Sequence, residues 1–330
     1  MMSTVAFLIA SAVKVTVMVT VVLMGVAWST WLERKLLGHF QHRIGPNMAG
    51  PYGLLQPIAD AVKLIFKEDI VPDKAERIMY ALAPIISFIP ALLTFAVIPV
   101  GRTLTIFDQQ IEMVISDLNI GILFVFAVTS LGVYGIVLAG WSAGSKYSLL
   151  GGIRSSAQMI SYEIAYGLSI IGVILLANTL SMVELVEQQN GLFNWFIFRQ
   201  PLGFVLFVVC AVAETNRSPF DLPEAESELV AGYLTEYSSM RYSLFFMAEY
   251  ANMIAVSSVA TTIFLGGWQG PFLPPVVWFG IKVFLFMCFY IWIRATLPRL
   301  RYDMLMNFGW KVLFPLALAN VMVTAFLQRL

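Results

Sequence analysis

Eight apolar stretches, each near the length a bilayer demands, run through this chain and make it a bundle of membrane-spanning helices before any other feature is considered. They cover approximately residues 5–31, 78–100, 119–140, 156–178, 199–213 with an extension on its N-terminal side, 242–265, 276–294 and 310–328. About 20 apolar residues carry an α-helix across the hydrocarbon, and within lipid only a helix or a closed barrel satisfies every backbone N–H and C=O. The fifth stretch is the weakest, because Arg199 and Pro201 interrupt it. With 59% hydrophobic and 12% charged residues in 330, the composition leaves no large soluble domain beside the spans. The chain therefore reads as all-α and polytopic, one membrane domain over residues 1–330. The run from Val5 to Trp31 is too long for the core of a cleavable signal and is followed by charge, so it is expected to be the first span.

Orientation follows from lysine and arginine, which loops on the cytoplasmic side retain. The odd-numbered loops hold nearly all of them, from Arg34, Lys35 and Arg43 to Arg294, Arg299 and Arg301, whereas the even-numbered loops hold Arg102, with Arg199 at a boundary. Both termini are thus expected outside, and loops one, three, five and seven inside. Loop one, residues 32–77, also contains an amphipathic segment. Leu54, Ile58, Ala61, Val62 and Ile65 share one helical face, and Gln56, Asp60, Lys63 and Lys67 the other, which predicts a helix lying in the membrane plane.

Charge also appears where topology alone does not call for it. Loop five, residues 213–241, carries Glu214, Asp221, Glu224, Glu226, Glu228 and Glu236 against Arg217 and Arg241. Carboxylates three and four residues apart raise one another's proton affinity and can exchange protons near neutral pH. Pro219, Phe220 and Pro223 in their midst point to a folded segment instead of a solvated loop. Within the spans lie Lys14, Glu163, Glu249 and Lys282. A charge at that depth costs at least about 2.5 to 3.5 kcal/mol, so such residues face a bundle interior or water and commonly serve proton or ion relays. For Lys14 a snorkelling or local pairing role is expected. Arg34, Arg294, Arg299 and Arg301 sit at span ends, where guanidinium groups can line a polar entrance or dock a partner.

The chain has two cysteines and two histidines, too few for an iron–sulfur cluster or a structural zinc, and neither histidine lies in a span to ligate haem. No metal or redox cofactor is expected in this chain.

Four strings carry more than membrane physics: Glu33-Arg-Lys-Leu-Leu-Gly-His-Phe-Gln-His-Arg-Ile-Gly-Pro-Asn47, Arg154-Ser-Ser-Ala-Gln-Met-Ile-Ser-Tyr-Glu163, the acidic run Ala213 to Val230, and Arg294-Ala-Thr-Leu-Pro-Arg-Leu-Arg-Tyr-Asp303. They resemble, in order and over nearly the whole chain, the H-subunit family of NADH-quinone oxidoreductase, respiratory complex I. The resemblance implies a membrane-arm subunit that forms much of the quinone chamber and couples quinone reduction to proton translocation. Quinone would be the substrate, while FMN and the iron–sulfur clusters would belong to partner subunits. By position, Arg34, Asp60, Arg294 and Arg299 would line or gate the quinone passage, with Arg217 and Phe220 in its loop-five wall. Glu163, Glu214, Glu224, Glu226, Glu228 and Glu249, with Lys282, would form the proton-coupling route. The expected partners are the other subunits of the complex, including the one with the terminal cluster and the small membrane-arm subunits, together with lipid and no nucleic acid. The expected location is a bacterial inner membrane with both termini periplasmic. Two other readings fit parts of the pattern: the homologous subunit of an energy-converting hydrogenase, and a proton-coupled secondary transporter, against which the absence of inverted repeats counts.

Overall fold

The structure, a computed structural model, describes residues 4–106, 109–221 and 230–329. Glu224, Glu226 and Glu228 lie outside the described residues.

The first helix, α1 (Thr4–Phe40), is 37 residues long and continues well beyond the apolar run. Its buried positions Val22, Val26, Ser29 and Glu33 recur at four, three and four residues, the spacing of one helical face. That stripe packs on two later helices, and Glu33 ends it. After a glycine-rich turn comes α2 (Gln56–Phe66). None of its residues is buried, and Ile58 and Ile65 are 61% and 58% exposed, as expected of an apolar face meant for lipid.

The next helices are α3 (Arg77–Leu93), then a short antiparallel hairpin of β1 (Thr103–Ile106) and β2 (Gln109–Glu112), then α4 (Gly121–Ser142) and α5 (Lys146–Ala177). The expected loop three shrinks to residues 143–145, and Lys146 and Arg154 stand on α5. The reason is a face of small residues, Ser148, Gly151, Gly152, Ser155 and Ser156, all buried, which hydropathy does not register but which lets backbones approach closely. A Cβ on Gly152 would stand 3.1 Å from Gly140 Cα on α4, and one on Gly151 would stand 2.6 Å from Gly232 Cα in loop five. Gly151→Ala is accordingly expected to cost about 1–3 kcal/mol through forced backbone movement. A melting temperature of the assembled complex unchanged by G151A would show that this contact yields freely.

The short helices α6 (Met182–Glu187) and α7 (Phe196–Arg199) precede α8 (Pro201–Glu214). Of the eight expected spans, seven appear among the described residues as helices long and apolar enough to cross a membrane, and the fifth, α8, is a 14-residue apolar helix. Its N-terminus is set by Pro201, which favours a first-turn position, and α7 replaces the upstream extension. The remaining helices are α9 (Ser239–Phe264), α10 (Pro275–Thr296), α11 (Tyr302–Phe308) and, across a π-helical turn at Gly309–Leu313, α12 (Phe314–Leu327). The last span thus begins at Tyr302, about two turns before the expected start at 310.

The core is built around α5 and α9. Helix α5 packs against α4, α8 and α12, and α9 against α1, α3 and α10. Loops one and five meet on one side, where Ile70 N donates to Ser238 Oγ at 2.9 Å and Ser239 Oγ to Leu64 O at 3.0 Å. There Tyr80 and Tyr237 stack with ring centroids 4.2 Å apart, and Tyr80 OH donates to Glu236 O. Burial pushes the Tyr237 phenol up to about 12, which keeps it a neutral donor in that stack.

Candidate functional site

Where α1, α9, α10 and loop five converge, four charged side chains lie together. Arg217 Nε is 2.9 Å from Glu249 Oε1, and Arg217 Nη1 is 3.4 Å from Glu33 Oε1. Arg294 Nη1 bonds the same Glu33 oxygen. Tyr250 OH donates to Glu33 Oε2 at 2.6 Å, and the Arg217 guanidinium lies 4.5 Å from the Tyr250 ring centroid. Glu33 and Arg217 are only 5% and 4% exposed. Two carboxylates face two guanidinium groups, so the cluster is neutral as a whole, the condition under which buried charge is tolerable. Burial opposes the charge on Arg217, but the carboxylates of Glu249 and Glu33 outweigh it and hold the guanidinium well above its usual value. Arg217 is thus a fixed cation.

Beside this cluster lies an apolar cavity of about 540 Å³, walled by Val212 of α8, Pro219 and Phe220 of loop five, Ile293 of α10, Leu300 and Phe308. Phe220 is buried, its ring 5.5 Å from that of Tyr162 on α5. The wall and the cluster share α10 and loop five, through Ile293 beside Arg294 and Phe220 three residues after Arg217.

Arg34 and Asp60 also meet. Arg34 Nη1 is 2.6 Å from Asp60 Oδ2, and Gln56 Nε2 is 3.2 Å from Asp60 Oδ1, which ties the end of α1 to α2. The two side chains are 47% and 31% exposed, so this pair is open to a visiting group, whereas Glu33 and Arg217 at the centre of the other cluster are buried. Deeper in the bundle, Ser130 Oγ of α4 donates to Glu163 Oε1 of α5. Glu214, at the end of α8, is buried and lies within electrostatic reach of Glu163, Cys210 and Tyr290. Among the described residues its Oε2 has no hydrogen-bond partner.

Two expected residues stand apart. Lys282 donates to the carbonyls of Leu265, Gly267 and Gln269 at 2.6, 2.9 and 2.7 Å, with Trp195 beneath it at 4.4 Å. Leu265 lies beyond the far end of α9 from Glu249, about 24 Å along the axis at 1.5 Å per residue. The three donors of Lys282 are used in holding that turn, and it is not placed among the carboxylates. Arg299 is half-buried in the α10–α11 connection, and its Nη2 is without a partner among the described residues. One cluster member does not stand out in the sequence: Glu33 reads there only as a neighbour of Arg34, although the 22–26–29–33 stripe turns it inward and Arg34 outward.

Known proteins resemble this chain over nearly its whole length. The family described as NADH dehydrogenase matches residues 13–325. An H subunit of NADH-quinone oxidoreductase from Geobacter metallireducens, the one numbered 2 in that organism, is 54% identical, the alignment covering 98% of this chain and 97% of the relative. The H subunit numbered 1 in Geobacter sulfurreducens is 54% identical over 98% of this chain and 96% of its own, and the Thermomicrobium roseum H subunit is 52% identical over 94% of each. A family match over nearly the whole length, with relatives this similar end to end, makes the chain a member of the NADH dehydrogenase family to which the H subunits of NADH-quinone oxidoreductases belong.

Proposed function

We propose that this chain is the membrane subunit of a proton-translocating NADH:quinone oxidoreductase that encloses quinone and links its reduction to proton movement. One observation carries the reading: a charge-balanced cluster of Glu33, Arg217, Glu249 and Arg294 shares loop five and α10 with the wall of an apolar cavity of about 540 Å³. A quinone is an apolar tail with a polar headgroup, and such a cavity beside fixed polar groups suits both parts. The exposed Arg34–Asp60 pair, with α2 lying at the membrane surface, suits the mouth of the passage. Arg299 belongs to the same side.

Reduction to quinol takes up two electrons and two protons. The electrons come from an iron–sulfur cluster in a partner subunit, which receives them from FMN in another. This chain supplies the cavity wall, the polar contacts and the carboxylates. A change of charge at the headgroup acts electrostatically on the Arg217 cluster, and through loop five on Glu214 and then Glu163. Glu224, Glu226 and Glu228 extend the acidic run along the same loop. The subunit would sit in a bacterial inner membrane with both termini periplasmic, bound to peripheral-arm and small membrane-arm subunits.

The test separates quinone chemistry from upstream electron transfer. Arg34→Ala and Asp60→Ala, which remove an exposed pair worth at most about 1 kcal/mol of stability, should leave assembly intact. A polar contact to a charged group is worth about 1.5–3 kcal/mol, so the quinone KM should rise roughly ten- to a hundredfold. NADH oxidation by an artificial acceptor should stay normal in both variants. Equal loss of the two activities would mark misassembly and remove the support this pair gives.

A further inference from the structure

Loop five is held at two points by one amide. Gln158 of α5 is fully buried, and its Nε2 donates both to Ala213 O at 2.9 Å and to Phe220 O at 2.8 Å. These two carbonyls mark the entry and exit of the segment that contains Glu214, Arg217 and the cavity-wall phenylalanine itself. One side-chain NH₂ has two hydrogens, and both are spent on closing this segment. The neighbouring positions of α5 reinforce the contact from the same helix. Asn216 Nδ2 lies 3.5 Å from Met159 Sδ, and Tyr162, one turn on from Gln158, packs on Phe220 and donates to Leu305 O at 2.9 Å. Helix α5 thus touches the loop at its start, middle and end.

We propose that Gln158 is a positioning residue for the quinone site: by pinning both ends of the Ala213–Phe220 segment to α5, it sets where Arg217 enters the charge cluster and where Phe220 walls the cavity. It touches neither cluster nor cavity, and acts through the loop. This inference rests on the quinone-site reading above. Removing the amide leaves the Phe220 carbonyl without its donor and Ala213 O with only backbone donors of the helix end such as Asn216 N at 3.3 Å, a loss that the loop relieves by shifting at Phe220. Its shift moves the Phe220 wall relative to α10.

The experiment replaces Gln158 by methionine, which keeps the length and bulk of the side chain and removes both donors. In the assembled complex, Q158M should raise the quinone KM about tenfold, with kcat within about twofold and NADH oxidation by an artificial acceptor unchanged. Phe220→Ala, measured alongside, should raise the same KM. A merely structural glutamine would instead lower the amount of complex, with both activities falling in proportion and KM unmoved, and that result would overturn the proposal. A raised KM in F220A with a normal KM in Q158M would overturn it while leaving the quinone-site reading standing. A normal KM in both would overturn that reading as well. If Q158M assembles too poorly to assay, Q158E is measured in its place. It has the same shape and at most one donor, so its KM should also rise, and a normal KM there would again overturn the proposal.

Discussion

Replacing Glu33 by alanine is expected to destabilise the assembled subunit by about 3–5 kcal/mol, because a buried ion network loses one member and keeps its counter-charges. Glu33 accepts from Arg217, Arg294 and Tyr250 at once. Without it, Arg217 retains Glu249, but Arg294 loses the carboxylate it shares with Arg217, and the buried Tyr250 hydroxyl loses its acceptor. The neutral isostere Glu33→Gln preserves an acceptor for Tyr250 and should fall between E33A and the parent. The decisive comparison is the double variant E33A/R294A. It restores equal numbers of positive and negative groups, Arg217 with Glu249, so it should be more stable than E33A alone, a non-additivity expected of residues in one network. Thermal denaturation of the purified complex measures these variants together with R294A. A double variant at the simple sum of the single losses would mean that Arg294 and Glu33 contribute independently.

That Glu33 matters more than Arg34 is a lesson in what periodicity can and cannot show. The spans, the interfacial helix and the acidic loop are legible because they depend on runs of one polarity, and polarity is what composition records. Glu33 and Arg34 are adjacent charges, and no run distinguishes them. What separates them is 100° of helical rotation, which carries one into the stripe begun by Val22 and the other toward α2. The boundary of α5 escapes hydropathy for a related reason. Its first three turns are marked by small residues and not by apolar ones, and small residues announce a close helix contact only when the opposing helix, here with Gly140, is known. Lys282 shows how a backbone environment escapes the sequence. An intramembrane lysine suggests a relay, but a turn offering three carbonyls satisfies it completely, and carbonyls are invisible in side-chain chemistry. Arg217 with Glu249 and Arg34 with Asp60 are joined across 32 and 26 positions of chain. No local pattern in the sequence joins either pair.

Glu163→Gln and Glu214→Gln carry the largest expected effect on proton movement. Glutamine keeps the volume of the carboxyl and its ability to hydrogen-bond, so Ser130 retains a partner at 163 and packing at 214 is preserved, but it cannot take up or release a proton. Positioned proton-transfer groups contribute about 10²–10⁴ in rate, so proton release coupled to quinone reduction should fall by a factor on the order of 10² in each variant. The two carboxyls are within electrostatic reach of one another, Glu214 at the loop-five end of α8 and Glu163 within α5. If they act in series, either substitution alone breaks the route, and the double variant should be no worse than the poorer single one. Carboxylates that acted in parallel would give single losses that multiply. Protons released per electron, measured with the complex in sealed vesicles, distinguishes these cases. Normal stoichiometry at normal turnover in both single variants would show that these carboxylates shape the bundle without carrying protons.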